Sequence, residues 1–138
     1  FLGMKTLTEK YDVDVTIDAK NSSAESGLAL VGDEKNFVMA SVNGNKLVLR
    51  KVEGDKETLI EEKNLPRSEI IHLRASVRNG KDISFLFSTD GKKFIPVNET
   101  PVDGVFLPPW DRAVRAAMVA RGPKTQKAVF DAFILRNN

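Results

Sequence analysis

Strict alternation of apolar and polar residues distinguishes two long segments of the chain. In Tyr11–Asp18 every odd position is apolar, and in 71–78 the odd positions are again apolar, with Ile71, Leu73, Ala75 and Val77. A period of two is typical of a strand with one buried and one wet face. We therefore predict two half-buried β-strands here, the first with an acidic outer face.

Short apolar runs between turn residues predict the other elements. Turns are indicated by Gly32-Asp33-Glu34, Asn43-Gly44, Glu53-Gly54-Asp55, Asn79-Gly80 and Asp90-Gly91. We assign Asn43-Gly44 to a type I′ hairpin turn, because both residues tolerate the positive φ angles that this turn needs. The strands so predicted cover 27–31, 36–42, 47–52, 58–60, 83–88, 93–95 and 128–135, with a loop at 101–110.

The segment 112–121 is ambiguous, since Val114, Met118 and Arg121 also lie at helical spacing. The Gly122-Pro123 pair ends it early, and its neighbours are all short strands. We therefore predict a strand over 114–120. The whole chain then forms an all-β sandwich or jelly roll, a single domain over residues 1–138.

Composition excludes several kinds of chemistry. The 138 residues include no cysteine and one histidine, His72, which excludes Cys/His zinc sites, disulfides and a cysteine nucleophile. A net charge of +2 is too small to indicate nucleic acid binding, and no apolar run approaches the roughly 18 residues of a membrane span. We expect neither a nucleic acid nor a membrane partner. The absence of cysteine is compatible with a cytosolic protein and also with a bacterial secreted protein that folds without disulfides.

Few side chains suggest catalysis. His72 lies on the polar side of its strand, and without a second histidine or a Gly-x-Ser-x-Gly sequence we expect a surface imidazole. Acidic residues such as Asp12, Asp14 and Asp18 show no distinctive spacing, and we assign them to solubility at a strand edge. The sequons at Asn21 and Asn98 are short enough to arise by chance.

Two residues are candidates for binding. Asp131 interrupts an apolar strand, so its charge needs a partner: a calcium ion, or an arginine such as Arg115 or Arg121. Trp110 lies in the loop before the penultimate strand. Its ring could plug the end of the sandwich or stack on a sugar.

Several segments together resemble a known family. They are Gly27-Leu28-Ala29-Leu30, Leu73-Arg74-Ala75, the stretch Phe85-Leu86-Phe87-Ser88-Thr89-Asp90-Gly91-Lys92-Lys93-Phe94, Ala117 to Gly122, and Ala128 to Phe133. Their order and spacing are similar to those of the concanavalin A-like domain at the C-terminus of family 43 β-xylosidases. The penultimate strand departs from the family pattern, with Ala116-Ala117-Met118 where a Gly-Leu pair is usual.

The resemblance implies a jelly roll of two antiparallel sheets that works beside a glycoside hydrolase domain. We expect a noncatalytic carbohydrate-binding or scaffolding module, with Trp110 stacking on sugar and His72, Arg74 and Arg112 donating hydrogen bonds to hydroxyl groups. In related jelly-roll hydrolases an aspartate in the last strand often binds calcium, and Asp131 occupies the matching position. Alternatives are a glycoside hydrolase of jelly-roll fold and a purely structural interaction domain.

The resemblance also implies a longer parent protein. The family begins with one or two earlier strands, which this sequence lacks, so we expect a fragment. Either its opening strands are supplied by another segment, or the domain is a variant that protects its own sheet edge. An extracellular or periplasmic bacterial location follows from the same family, although the composition also allows the cytoplasm.

Overall fold

The structure is a computed structural model that describes residues 2–5, 10–19, 25–66, 69–79, 82–104, 115–121 and 130–137. Its described elements are all β-strands, in this order: β1 Leu2–Lys5, β2 Tyr11–Asp18, β3 Glu25–Asp33, β4 Asn36–Asn43, β5 Lys46–Glu53, β6 Lys56–Asn64, β7 Ile70–Arg78, β8 Asp82–Ser88, β9 Ile95–Pro96, β10 Val102–Asp103, β11 Arg115–Arg121 and β12 Phe130–Asn137.

These strands form two antiparallel sheets packed face to face. Sheet A has the order β1-β11-β3-β4-β5-β6, and sheet B has the order β10-β8-β7-β2-β12, with β9 also paired to β8. The alternating apolar residues of β2 and β7 point into the space between the sheets, where Val13, Val15, Leu73 and Ala75 are fully buried. The all-β jelly-roll sandwich expected from the sequence is confirmed.

The predicted hairpins are present, and one has a different turn. Asn43 pairs with Lys46, so the two turn residues are Gly44 and Asn45, and of these only Gly44 has a positive φ, 64°. A type II′ turn has a positive φ at its first central residue, usually glycine, and a negative φ at its second. The type I′ assignment at Asn43-Gly44 was therefore wrong. The I′ pattern occurs at Gly54 and Asp55, with φ of 58° and 71°.

The ambiguous segment is a strand, since β11 pairs with both β1 and β3. The sequence pattern missed β1, whose four residues are too few to show a period of two. The strand predicted over 93–95 begins later, at Ile95, because residues 88–94 form a longer turn.

Part of the outer face of sheet A, on β3, β4 and β11, is also apolar and buried. Ala29, Val31, Met39 and Ala117 lie on the side of the sheet away from the main core, with Phe37 packed against them. Small side chains in β3 and β11 face each other there, since Ala117 pairs with Ala29. The near-continuous apolar run of β3 therefore reflects burial on both faces.

Gly27 in β3 marks a close approach between backbones. A Cβ atom at this position would lie 2.1 Å from the carbonyl oxygen of Ala40 and 2.8 Å from Cα of Ser41. Both contacts are with backbone, which cannot move aside as the end of a flexible side chain would. Only glycine fits here.

Candidate functional site

The outer face of sheet B, which we call the polar face, carries a row of paired polar side chains. On β2 these are Asp12, Asp14 and Thr16, and on β7 the residues directly opposite are Ser76, Arg74 and His72. Both strands are internal to the sheet, so each side chain has neighbours on two sides. The register of two alternating strands thus brings acidic and basic residues together.

Arg74 and Asp14 form a bidentate ion pair at the centre of this face. Nε of Arg74 donates to Oδ1 of Asp14 at 2.7 Å, and Nη2 donates to Oδ2 at 3.0 Å. The ring of Phe94 covers the guanidinium, with its centroid 3.9 Å from Cζ. The hydrogen bonds to Asp14 raise the pKa of Arg74 above its ordinary value, although partial burial opposes them.

Asp12 has its own partners further along the strand. Its Oδ1 accepts hydrogen bonds from the Ser76 hydroxyl at 2.6 Å and from Nη1 of Arg78 at 3.1 Å. The assignment of Asp12 and Asp14 to solubility at a strand edge was therefore wrong. Their carboxylates are mostly buried and lie within ion pairs on an internal strand.

His72 is held between a hydroxyl group and a glycine. Its Nδ1 lies 3.1 Å from Oγ1 of Thr16 in a hydrogen bond. Its Nε2 faces Gly91, where an added Cβ would be only 3.1 Å away. Gly91 also has a φ of 75°, so glycine serves there both for backbone conformation and for space.

The loop 88–94, which carries both Gly91 and Phe94, is fixed by one carboxylate. Oδ1 of Asp90 accepts from the backbone N–H groups of Lys92 and Lys93 and from the Ser88 hydroxyl. These bonds, led by that to Lys93, lower the pKa of Asp90 to about 2. Ser88 in turn accepts from the N–H groups of Asp90 and Gly91. The loop is thereby ordered over the polar face.

The structure brings together two of the predicted sugar contacts, His72 and Arg74, as neighbours on one face. Trp110 and Arg112 lie outside the described residues. The side chain of Asp131 is likewise outside them, but its backbone is not: pairing passes from Phe130 opposite Ile17 to Ala132 opposite Thr16. Asp131 is thus the extra residue of a bulge, which interrupts the regular pairing of this strand.

Sequence reasoning missed Phe94 and Asp14 as parts of this site. Asp14 was visible only as one of many acidic residues, because its partner lies 60 positions away and depends on the β2–β7 register. The Asp90-Gly91 turn was predicted, but nothing in its sequence places Phe94 over Arg74.

The described residues lack two kinds of feature, a metal-binding cluster and a membrane-spanning helix. They contain no cluster of three or more His, Cys, Asp or Glu side chains that could hold a metal ion. No helix among them is long and apolar enough to cross a bilayer.

Comparison with known proteins extends the geometric description. The sequence profile of the β-xylosidase C-terminal concanavalin A-like domain matches residues 1–134. A search of curated protein sequences gives no match.

Solved structures share the fold. A xylan β-1,4-xylosidase from Bacillus halodurans superposes with a TM-score of 0.84 at 14% identity, over 98% of this chain and 29% of that one. A family 43 protein from Bacillus licheniformis gives 0.81 at 16% identity, over 96% and 28%. The carbohydrate-binding module CBM66 from Bacillus subtilis gives 0.62 at 17% identity, over 94% and 76%.

The chain therefore spans less than a third of the two family 43 proteins and most of the isolated binding module. Identities this low support the fold alone, but the sequence profile covers nearly every residue. The chain belongs to the β-xylosidase C-terminal concanavalin A-like domain family.

Proposed function

We propose that this domain is a noncatalytic module of a family 43 glycoside hydrolase, which binds carbohydrate or holds an adjacent catalytic domain. The observation that carries the proposal is the family match over residues 1–134. Structural neighbours in which this fold is a little over a quarter of the chain support a second domain beside it. An extracellular or periplasmic location is part of the same proposal.

Carbohydrate binding is supported by the fold shared with CBM66 and by the donors of the polar face. Arg74 uses Nε and Nη2 on Asp14, which leaves Nη1 as the nitrogen not engaged with that carboxylate. His72 lies two positions before Arg74 on β7, so both side chains point to the same side of the sheet. We propose that these two donate to sugar hydroxyls, with Trp110 stacking on a ring face and Arg112 assisting.

Binding is tested by affinity electrophoresis and calorimetry of the chain against xylan, arabinan and β-glucan. Retention on one polymer, weakened in W110A and in H72A, supports sugar binding. Thermal melting shows that each variant remains folded, and K56A at the exposed start of β6 in sheet A serves as the control. If no polymer binds to the folded wild type, only the scaffolding role remains, which is tested by adding the domain to the catalytic part of its parent protein.

The proposal also includes calcium at Asp131, tested by melting the chain with calcium and with a chelator. A shift in the melting temperature that is absent in D131N supports a calcium site, while equal shifts in both contradict it. The alternative of a jelly-roll hydrolase needs two carboxyl groups about 5 to 9.5 Å apart. On the polar face, Asp12 and Asp14 are already engaged with arginines, which makes them poor acids or nucleophiles.

A further inference from the structure

The outer edge of β8 is closed by a side chain rather than by a continuous strand. Among the described residues, two short strands lie next to β8: β9 opposite Leu86 and Phe87, and β10 opposite Asp82 and Ile83. Between them the backbone of Val97 still donates to the carbonyl of Phe85 at 2.7 Å. No strand of the described residues lies opposite Ser84 and Phe85, between the two pairings.

Asn98 fills this gap with its amide. Its Oδ1 accepts from the N–H of Phe85 at 2.8 Å, and its Nδ2 donates to the carbonyl of Ile83 at 3.2 Å. Nδ2 also donates to the carbonyl of Thr100 at 2.9 Å, which ties the amide to its own loop. The residue as a whole is 6% exposed. One primary amide thus imitates a peptide group in the ladder.

The strand behind this amide is suited to pairing with another chain. Residues 83–88 read Ile-Ser-Phe-Leu-Phe-Ser, six positions without charge or proline, in which Ile83, Phe85 and Phe87 are buried. Uncharged segments of high β-propensity are the ones that associate when their edge is open. The long edge strand β6 of sheet A, by contrast, is rich in charged residues and carries a bulge at Ile60. Residues 83–88 of β8 carry neither a charge nor a bulge of their own.

We propose that Asn98 is an edge latch: its amide keeps β8 from pairing with β8 of a second copy of this chain. Pairing of like strands is antiparallel about a twofold axis and places the same uncharged residues opposite each other. Opening the latch frees the Phe85 N–H and removes one partner of the Ile83 carbonyl. A second β8 then pairs here by displacing the short strands β9 and β10. Sugar binding plays no part in this proposal.

The test uses N98D and N98A, with N45D in the exposed hairpin turn as the matched control. In N98D one carboxylate oxygen can still accept from the Phe85 N–H. The other oxygen replaces Nδ2 as the neighbour of the Ile83 and Thr100 carbonyls, and the repulsion between these oxygen atoms opens the latch. Light scattering after gel filtration should show a concentration-dependent dimer for both Asn98 variants and a monomer for wild type and N45D. Amide exchange at Phe85 in the variants at dilute concentration should rise by at least about tenfold.

A second substitution identifies the strand involved. S84K places a charge on the outer face of β8, and two such lysines would approach each other in a β8–β8 pair. We expect N98D/S84K to return to the monomer without regaining slow exchange at Phe85. Folded, monomeric N98D and N98A at all concentrations would overturn the proposal. So would variants that unfold as monomers with no associated state, because Asn98 would then serve stability alone.

Discussion

Arg74 on β7 and Asp14 on β2 hold each other through two parallel hydrogen bonds of 2.7 and 3.0 Å, beneath the ring of Phe94. Two adjacent strands of sheet B are thereby tied at their outer surface as well as through the core. Asp12 and Arg78, on the same two strands, form a single-bond pair at 3.1 Å in which the arginine is 44% exposed. The two pairs can be compared directly.

Double-mutant cycles should give a larger coupling free energy for the Asp14–Arg74 pair than for the Asp12–Arg78 pair. We expect a coupling free energy of about 1 to 2 kcal/mol for D14A with R74A, since the bond is bidentate, charged and mostly buried. For D12A with R78A we expect about 0.2 to 1 kcal/mol, because exposure to solvent weakens the pair. Urea unfolding of the four single and two double variants gives both values. Equal coupling free energies for the two pairs would contradict the prediction that the bidentate geometry strengthens the Asp14–Arg74 pair.

Replacing Gly91 by alanine should cost more than replacing Gly44. Both glycines have positive φ, 75° and 64°, so each alanine pays the left-handed backbone strain of about 1 to 2 kcal/mol. Gly44 has no atom within 4 Å of the added Cβ, whereas Gly91 has Nε2 of His72 at 3.1 Å. We expect G91A to lose about 1 kcal/mol more than G44A, because the imidazole must shift by a few tenths of an ångström away from the added Cβ.

The His72 ring signals in NMR spectra check this cause. They should shift in G91A and stay unchanged in G44A. Unmoved signals in G91A, or equal losses of stability in the two variants, would argue against packing between Gly91 and His72.

Alanine at Gly27 should be among the most damaging single substitutions. Its Cβ would lie 2.1 Å from the Ala40 carbonyl oxygen, so β3 and β4 must separate. We expect a loss of at least about 3 kcal/mol, measured by chemical unfolding. Because the nearest atom is backbone, S41G should not restore stability to G27A. A rescue by S41G would show that the Ser41 side chain is the obstacle instead.

Acid should loosen the 88–94 loop over a defined range. Hydrogen bonds lower the pKa of Asp90 from its ordinary value of 3.8 to about 2. At pH values above 3.8 the charged carboxylate therefore stabilises the folded loop. This contribution is lost as the pH falls from about 4 towards 2, because the folded state then takes up the proton that the unfolded state already carries. Amide exchange at Lys92 and Lys93 should accelerate in that range.

D90N supplies the control for this titration. It should show faster exchange of these two amides at neutral pH and no further change between pH 4 and 2. An Asp90 carboxyl signal that titrates near its ordinary value, or a D90N loop that still responds to acid, would contradict the prediction.

Short-range sequence patterns were enough to predict most of the strands and hairpins. Alternation in β2 and β7 determined which residues face the core, since a strand has only two faces. Glycine-containing pairs located the hairpins, but the type of turn at Gly44 depended on which residues pair across it. The four residues of β1 and the offset of β9 carried too little pattern to be recognised.

Contacts between distant residues required the tertiary structure. The sequence by itself determined that Asp14, Arg74 and His72 lie on the wet faces of two strands, because that follows from local alternation. Only the fold decided that these strands are adjacent and in a register that pairs Asp14 with Arg74. It also decided that the loop from Asp90 brings Phe94 over that pair, and that Asn98 closes the edge of β8. The physical reason is that register and loop position are set by core packing and by hydrogen bonds across long sequence separations, and these leave no periodic trace in the chain.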